Sequence, residues 1–180
     1  ISHPHTQIIA LPMIPKNILT EIESCRAHYK KTSRSLICDL AISEIRAKSR
    51  IVEDDDNFVS FCPYASFWPF EVNICPKKTV KDFAALDEGS IFELANILLS
   101  SVRRISMALK GVSFNIFLKT MPPKREDVEP NFYYKMDEFY RWHIEIVPRI
   151  PVIGGFELSS GVFINTVAPE ESAKFLRSIV

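Results

Sequence analysis

Glycine is scarce in this chain, with 5 among 180 residues, and three of those (Gly154, Gly155, Gly161) fall late. No low-complexity tract and no internal repeat at solenoid spacing is present, which excludes fibrous and repeat architectures. Cysteine is equally sparse. Cys25, Cys38, Cys62 and Cys75 are too few for a disulfide framework in a chain this long, and no pair has the C-x-x-C spacing of a zinc knuckle. Net charge is absent as well: 22 Lys and Arg balance 22 Asp and Glu, so bulk attraction to nucleic acid or to an anionic membrane is not expected. No apolar run reaches the roughly 18 residues of a spanning helix, and the layout of a signal peptide is missing. The expectation is a soluble, cytoplasmic protein with no membrane and no nucleic-acid partner. What is plentiful is apolar material, 47% of residues against 24% charged, enough for one full core. The sequence starts at Ile1 and not at Met, and two of its four histidines lie in the first five residues. A chain that opens amid its densest chemistry reads as cut from a longer one.

Residues 2 to 11 alternate as a strand does, and Pro4 forbids a helix interior. A helix is expected from Pro15 to about Tyr29, with Ile18, Ile22 and Cys25 at helical spacing, and another from Cys38 to Lys48. Arg50 to Val52, Phe58 to Cys62 and Phe70 to Cys75 read as consecutive antiparallel strands. Ser90 to Leu109 is the clearest helix, with Ile91, Leu94, Ala95, Leu98, Val102, Ile105 and Leu109 in one stripe. Ser113 to Thr120 and Phe139 to Val147 read as strands around a loop rich in proline and charge. One or two further strands are expected over Gly154 to Ile164, and a closing helix over Pro169 to Ile179, its Pro-Glu-Glu start suited to the positive end of the helix dipole. Antiparallel strands under one long helix define an α+β layer fold.

His3-Pro4-His5-Thr6-Gln7 is the sharpest chemical feature. On a strand His3, His5 and Gln7 share one face. Two imidazoles so placed can divide their work, one ligating a metal and the other attacking phosphorus. The same residues also fit two surface histidines near a terminus.

His-Pro-His-Thr-Gln-Ile resembles the active-site strand of galactose-1-phosphate uridylyltransferases, the nucleotidyltransferase branch of the histidine triad superfamily. Pro63-Tyr64-Ala65-Ser66-Phe67-Trp68-Pro69-Phe70-Glu71-Val72 followed by Pro76-Lys77-Lys78 is similar to that family's next strand pair. Phe114-Asn115-Ile116 to Pro122, Tyr140-Arg141-Trp142-His143-Ile144-Glu145-Ile146-Val147-Pro148-Arg149 and Gly154-Gly155-Phe156-Glu157 resemble its later segments in the same order. The family is built from two histidine-triad-like repeats. The resemblance therefore implies that residues 1–12 are the last strand of the first repeat and residues 13–180 the second repeat, an antiparallel sheet with packed helices.

By the same resemblance, His5 is the nucleophile that takes a nucleotide from a nucleotide sugar, and Gln7 hydrogen-bonds a phosphoryl oxygen of the intermediate. An amide has no titratable proton to give, which favours transfer over hydrolysis. The implied reaction moves UMP from UDP-glucose to a hexose 1-phosphate; an ADP-sugar phosphorylase and a non-catalytic dimerisation or nucleotide-binding module are the alternatives. His3 matches a zinc ligand whose partners are absent from this chain. A second metal position falls on Glu21, Lys119, His143 and Glu145, where Lys119 stands in place of an expected histidine. A protonated amine cannot ligate, so a salt bridge from Lys119 to Glu145 or Glu21 in place of the metal is the alternative. Ser35 replaces the first cysteine of a further C-x-x-C, and Cys38 is read as a buried thiol. Asp54-Asp55-Asp56-Asn57 is expected as a solvated turn, His28 as a surface residue, and Phe67-Trp68-Pro69-Phe70 as core packing. Gly154, Gly155, Phe156 and Glu157 match the segment that reaches the sugar phosphate, often across a dimer interface, which implies a homodimer. A further polar contact of the family falls on Phe163, with Asn165 as a possible substitute.

Overall fold

The computed structural model describes residues 5–8, 11–77, 80–150 and 153–179. The three short apolar segments pair as anticipated: β1 (Ile51–Asp54) with β2 (Phe58–Phe61), and β2 with β3 (Val72–Pro76), both antiparallel. The turn between β1 and β2 is built by Asp55, whose Oδ1 accepts from the backbone N–H of Asn57 and Phe58, while Asp54 pairs with Lys77. That is the solvated turn expected of an Asp-Asp-Asp-Asn run. β4 (Phe114–Lys119) and β5 (His143–Pro148) complete the sheet in the order β1-β2-β3-β5-β4. β4 is an edge strand among the described residues, and Ile116, Phe117 and Leu118 along it are each about 45% exposed.

Helices cover both faces. α1 (Lys16–Thr32) and α2 (Leu36–Ala47) lie on one, and α3 (Glu88–Ala108) and α6 (Pro169–Ser178) on the other. The Asp87 side chain caps α3 by accepting from Ser90 N at 2.8 Å. Its buried stripe is Leu94, Ile97, Ser101 and Ile105, turned slightly from the expected one, and Ile91 lies 52% exposed. The stripe packs on Val52, Phe58, Val72, Ile74, Trp142, Ile144 and Ile146. The opposite face buries Val59, Phe61 and Cys75 against Ala41 of α2, and Ile22 and Cys25 of α1 against Met136, Phe139 and Tyr140. α6 is fastened at both ends by arginines. Arg50, held by Glu44, reaches Glu170, and Arg104 of α3 donates to the carbonyls of Leu176, Arg177 and Ile179.

Four expectations change. Residues 5–8 carry no strand and are exposed; residues 1–4, 9 and 10 lie outside the described residues. Phe139 and Tyr140 precede β5, because Met136–Phe139 forms one helical turn, α4, that tucks Phe139 under α1. Gly154 to Ile164 is not strand. Gly155–Ser160 is a helix, α5, started by Glu157 reaching back to the Gly154 N–H at 3.1 Å and ended at Gly161, whose φ of 69° suits glycine. Cys38 is half-buried; it is Cys25, Cys62 and Cys75 that are buried.

Candidate functional site

The register of the sheet edge assembles a cluster in which charged groups and an imidazole converge. Lys119 at the end of β4 stands opposite His143 at the start of β5, and directly opposed residues share a face. Glu145, two residues on, shares that face too, while Ile144 and Ile146 turn to the α3 side. α1 lies over this face and lowers Glu21 onto it. Lys119 Nζ bonds Glu21 Oε2 at 2.8 Å and Glu145 Oε1 at 2.7 Å. His143 Nε2 lies 3.7 Å from Glu21 Oε1 and 3.6 Å from Glu145 Oε1, and the Tyr140 hydroxyl donates to Glu21 at 2.7 Å. The salt bridge posed as an alternative to a metal is therefore formed, and to both carboxylates. Burial pushes the Glu145 carboxyl up, but His143 and the Lys119 ammonium prevail and leave it below the usual range. Burial likewise opposes charge on Lys119, yet Glu145 and Glu21 hold it above its ordinary value. Tyr140 is pushed well up by burial and by Glu21, so its hydroxyl stays a donor.

Glu71 is also a buried carboxylate, 7% exposed. Its Oε2 accepts from the backbone N–H of Phe67 and Trp68 at 3.0 and 3.3 Å, closing a turn that needs Phe70 at a φ of 60°. Burial, then the charge of Glu145, raise its pKa to about 7 against the pull of those N–H donors and of Lys119. In the sequence Glu71 appears only as part of a motif, and Tyr140 likewise. Acidic and phenolic residues beside apolar strands are the signal that finds them.

The remaining expected residues are spread over other elements. His5 and Gln7 are exposed on the segment of residues 5–8; His3 lies outside the described residues. Gly154, Gly155, Phe156 and Glu157 form the exposed start of α5, with the Glu157 carboxylate turned to its own Gly154 N–H. The Asn165 amide crosses to Ser66 and Trp68, donating to Ser66 O, Ser66 Oγ and Trp68 O. Beside it Phe163 packs on Phe67 and Trp68 with ring centroids 5.2 and 5.1 Å apart. Phe67 is itself 57% exposed, so the expected core packing holds for the buried Pro69 and for Phe70, which packs on the main core, and not for Phe67. His28 is more than a surface residue: its Nε2 meets Asp39 at 2.7 Å and ties α1 to α2. Two hollows of about 340 and 400 Å³ lie beside the α3 N-terminus and beside Trp142, and neither is lined by the Lys119 cluster. Among the described residues, no helix is long and apolar enough to cross a membrane.

The antiparallel sheet with helices packed on it is a histidine-triad-like fold. A Hit-like protein from Bartonella henselae shares this fold at 16% identity, with a TM-score of 0.53, covering 78% of this chain and 95% of its own. Residues 21–175 match the family described as galactose-1-phosphate uridyl transferase, C-terminal domain, and the chain belongs to that family. An ADP-glucose phosphorylase of Arabidopsis thaliana is 28% identical over 179 residues, 99% of this chain and 48% of that protein. A crystal structure of an Arabidopsis thaliana ADP-glucose phosphorylase with bound ADP-glucose superimposes with a TM-score of 0.81 at 27% identity, covering 94% of this chain and 51% of the other. A galactose-1-phosphate uridylyltransferase of Thermotoga maritima is 27% identical over 184 residues, 98% of this chain and 55% of its own. The chain thus spans about half the length of these relatives.

Proposed function

We propose that this chain is the part of a nucleotidyltransferase that carries the nucleophile, with His5 attacking the α-phosphorus of a nucleoside diphosphate hexose. The observation that carries this reading is His3-Pro4-His5-Thr6-Gln7, set ahead of a domain whose family is established. In the first step a bond forms between the His5 imidazole nitrogen and the α-phosphorus, the bond to the bridging oxygen breaks, and hexose 1-phosphate leaves. In the second, a phosphate oxygen of the acceptor attacks the same phosphorus and His5 is released. Imidazole suits both steps, being nucleophilic near neutral pH and a competent leaving group once phosphorylated. Gln7 holds a phosphoryl oxygen without offering a proton to water. His3 would supply one ligand to a zinc ion, which needs further ligands beside it.

Two donors are supported. Uridylyl transfer from UDP-glucose to a hexose 1-phosphate follows the uridylyltransferase relatives; adenylyl transfer from ADP-glucose to inorganic phosphate follows the phosphorylase relative. In both, the exposed turn at Gly154, Gly155, Phe156 and Glu157 meets the sugar phosphate, with Asn165 holding that segment against residues 66 to 68. The edge position of β4 supports a homodimer, and this reading is of a cytoplasmic enzyme. The test is incubation of the full-length protein with each radiolabelled donor. Label that is acid-labile, base-stable and lost in His5→Ala supports the reading and names the base. No label from either donor overturns it.

A further inference from the structure

Glu21, His143 and Glu145 each present one ligand atom, and the three lie within 4.8 Å of one another. The 3.6 and 3.7 Å separations of His143 Nε2 from the two carboxylates are near the roughly 3.3 Å between donors around tetrahedral zinc with bonds of about 2.0 Å. Two carboxylates and an imidazole are also a donor set that zinc accepts. This cage nevertheless does not fit a bound ion, because Lys119 Nζ already lies at hydrogen-bond distance from both carboxylates. An ammonium group has three donors and no lone pair to give a metal, and a metal brought between Glu21 and Glu145 meets a like charge there.

We propose that Lys119 is a built-in cation standing in for a metal ion, so that this cluster fastens α1 to the β4–β5 edge with no cofactor. The covalent tether explains how the site holds together. Glu21 comes from α1, Lys119 from β4 and His143 with Glu145 from β5, so one ammonium joins three elements, as a coordinated ion does. Two carboxylates face one ammonium, which leaves one negative charge over, and the excess on Glu21 is eased by the Tyr140 hydroxyl. Side chains of Lys119, Glu21 and Glu145 are each about one fifth exposed and His143 is 4% exposed, so the bonds are formed largely out of water. None of this rests on the role given to His5.

The experiment compares metal-stripped full-length wild type with Glu145→Gln, Lys119→His and the double variant Lys119→His/Glu145→Gln, titrated with Co²⁺ and followed by visible absorption and native mass spectrometry. Wild type and Glu145→Gln are expected to bind equal numbers of equivalents, since a metal site elsewhere counts in both. Lys119→His replaces the ammonium by a fourth ligand and is expected to gain one equivalent, which the double variant loses. One equivalent more in wild type than in Glu145→Gln overturns the proposal, and that comparison stands even where Lys119→His fails to fold. A folded Lys119→His that gains no equivalent overturns it as well.

Discussion

Glu71→Gln should make the protein more stable at pH 8 and leave it nearly unchanged at pH 4.5. The carboxyl is raised to about 7 from an ordinary 4.5 because it is buried and faces Glu145. A raised acid holds its proton more tightly folded than unfolded, so folding is favoured most below the unfolded value. That contribution is lost as pH climbs from about 4.5 to about 7. At about 1.4 kcal/mol per pH unit, the full loss is about 3 kcal/mol, a large share of the 5–15 kcal/mol that typically separates folded from unfolded. Glutamine keeps an acceptor for the Phe67 and Trp68 N–H groups, 3.0 and 3.3 Å away in the wild type, and removes only the charge. Urea unfolding of both proteins at pH 4.5, 5.5, 6.5 and 8 measures the difference directly. Curves that run parallel across this range, or a variant weaker at every pH, refute the reasoning.

Arg50→Met strips Glu44, whose side chain is 5% exposed, of its partner at 2.8 Å and frees Glu170; a loss of about 3–5 kcal/mol in urea unfolding is expected. Asn165→Ala removes the clasp on Ser66 and Trp68 together with the acceptor for Val167 N. It should lower stability by about 1–3 kcal/mol and speed proteolysis between residues 153 and 165. Trp142 is 1% exposed and its indole N–H has no partner among the described residues. Trp142→Phe should therefore lose under about 2 kcal/mol in thermal unfolding, against about 3–5 for Trp142→Ala.

Elements whose apolar residues meet another layer were legible in the sequence. The spacing of Leu94, Leu98, Val102 and Ile105 marks α3, and the short runs around Val52, Phe58 and Ile74 mark three strands. α5 was not, because Phe156, Leu158, Val162 and Ile164 alternate as strand residues do yet remain 55–75% exposed with no sheet to receive them. What decides their conformation is a local bond from Glu157 to Gly154, invisible to periodicity. The same limit applies at Met136 to Tyr140, where contacts with α1, over a hundred residues earlier, draw an apparent strand start into a turn. The site divides likewise. Resemblance brought Glu21, Lys119, His143 and Glu145 together, and strand register shows why they meet. Glu71 escaped because its effect depends on burial and on the nearness of Glu145, neither of which a local motif contains.

The arginine that closes the C-terminal helix has a consequence for the order of events in folding. α6 has no left-handed cap of its own, its terminal Ile179 being extended at a φ of −84°. Its last carbonyls are instead met by Arg104, a side chain 72 to 75 residues earlier. Beyond its own bond from Ile179 N to Leu176 O, the end of the helix is completed by the surface it packs on. α3 must be wound and seated before the final turn of α6 can persist, and amide protons there should exchange with solvent only when the two helices part.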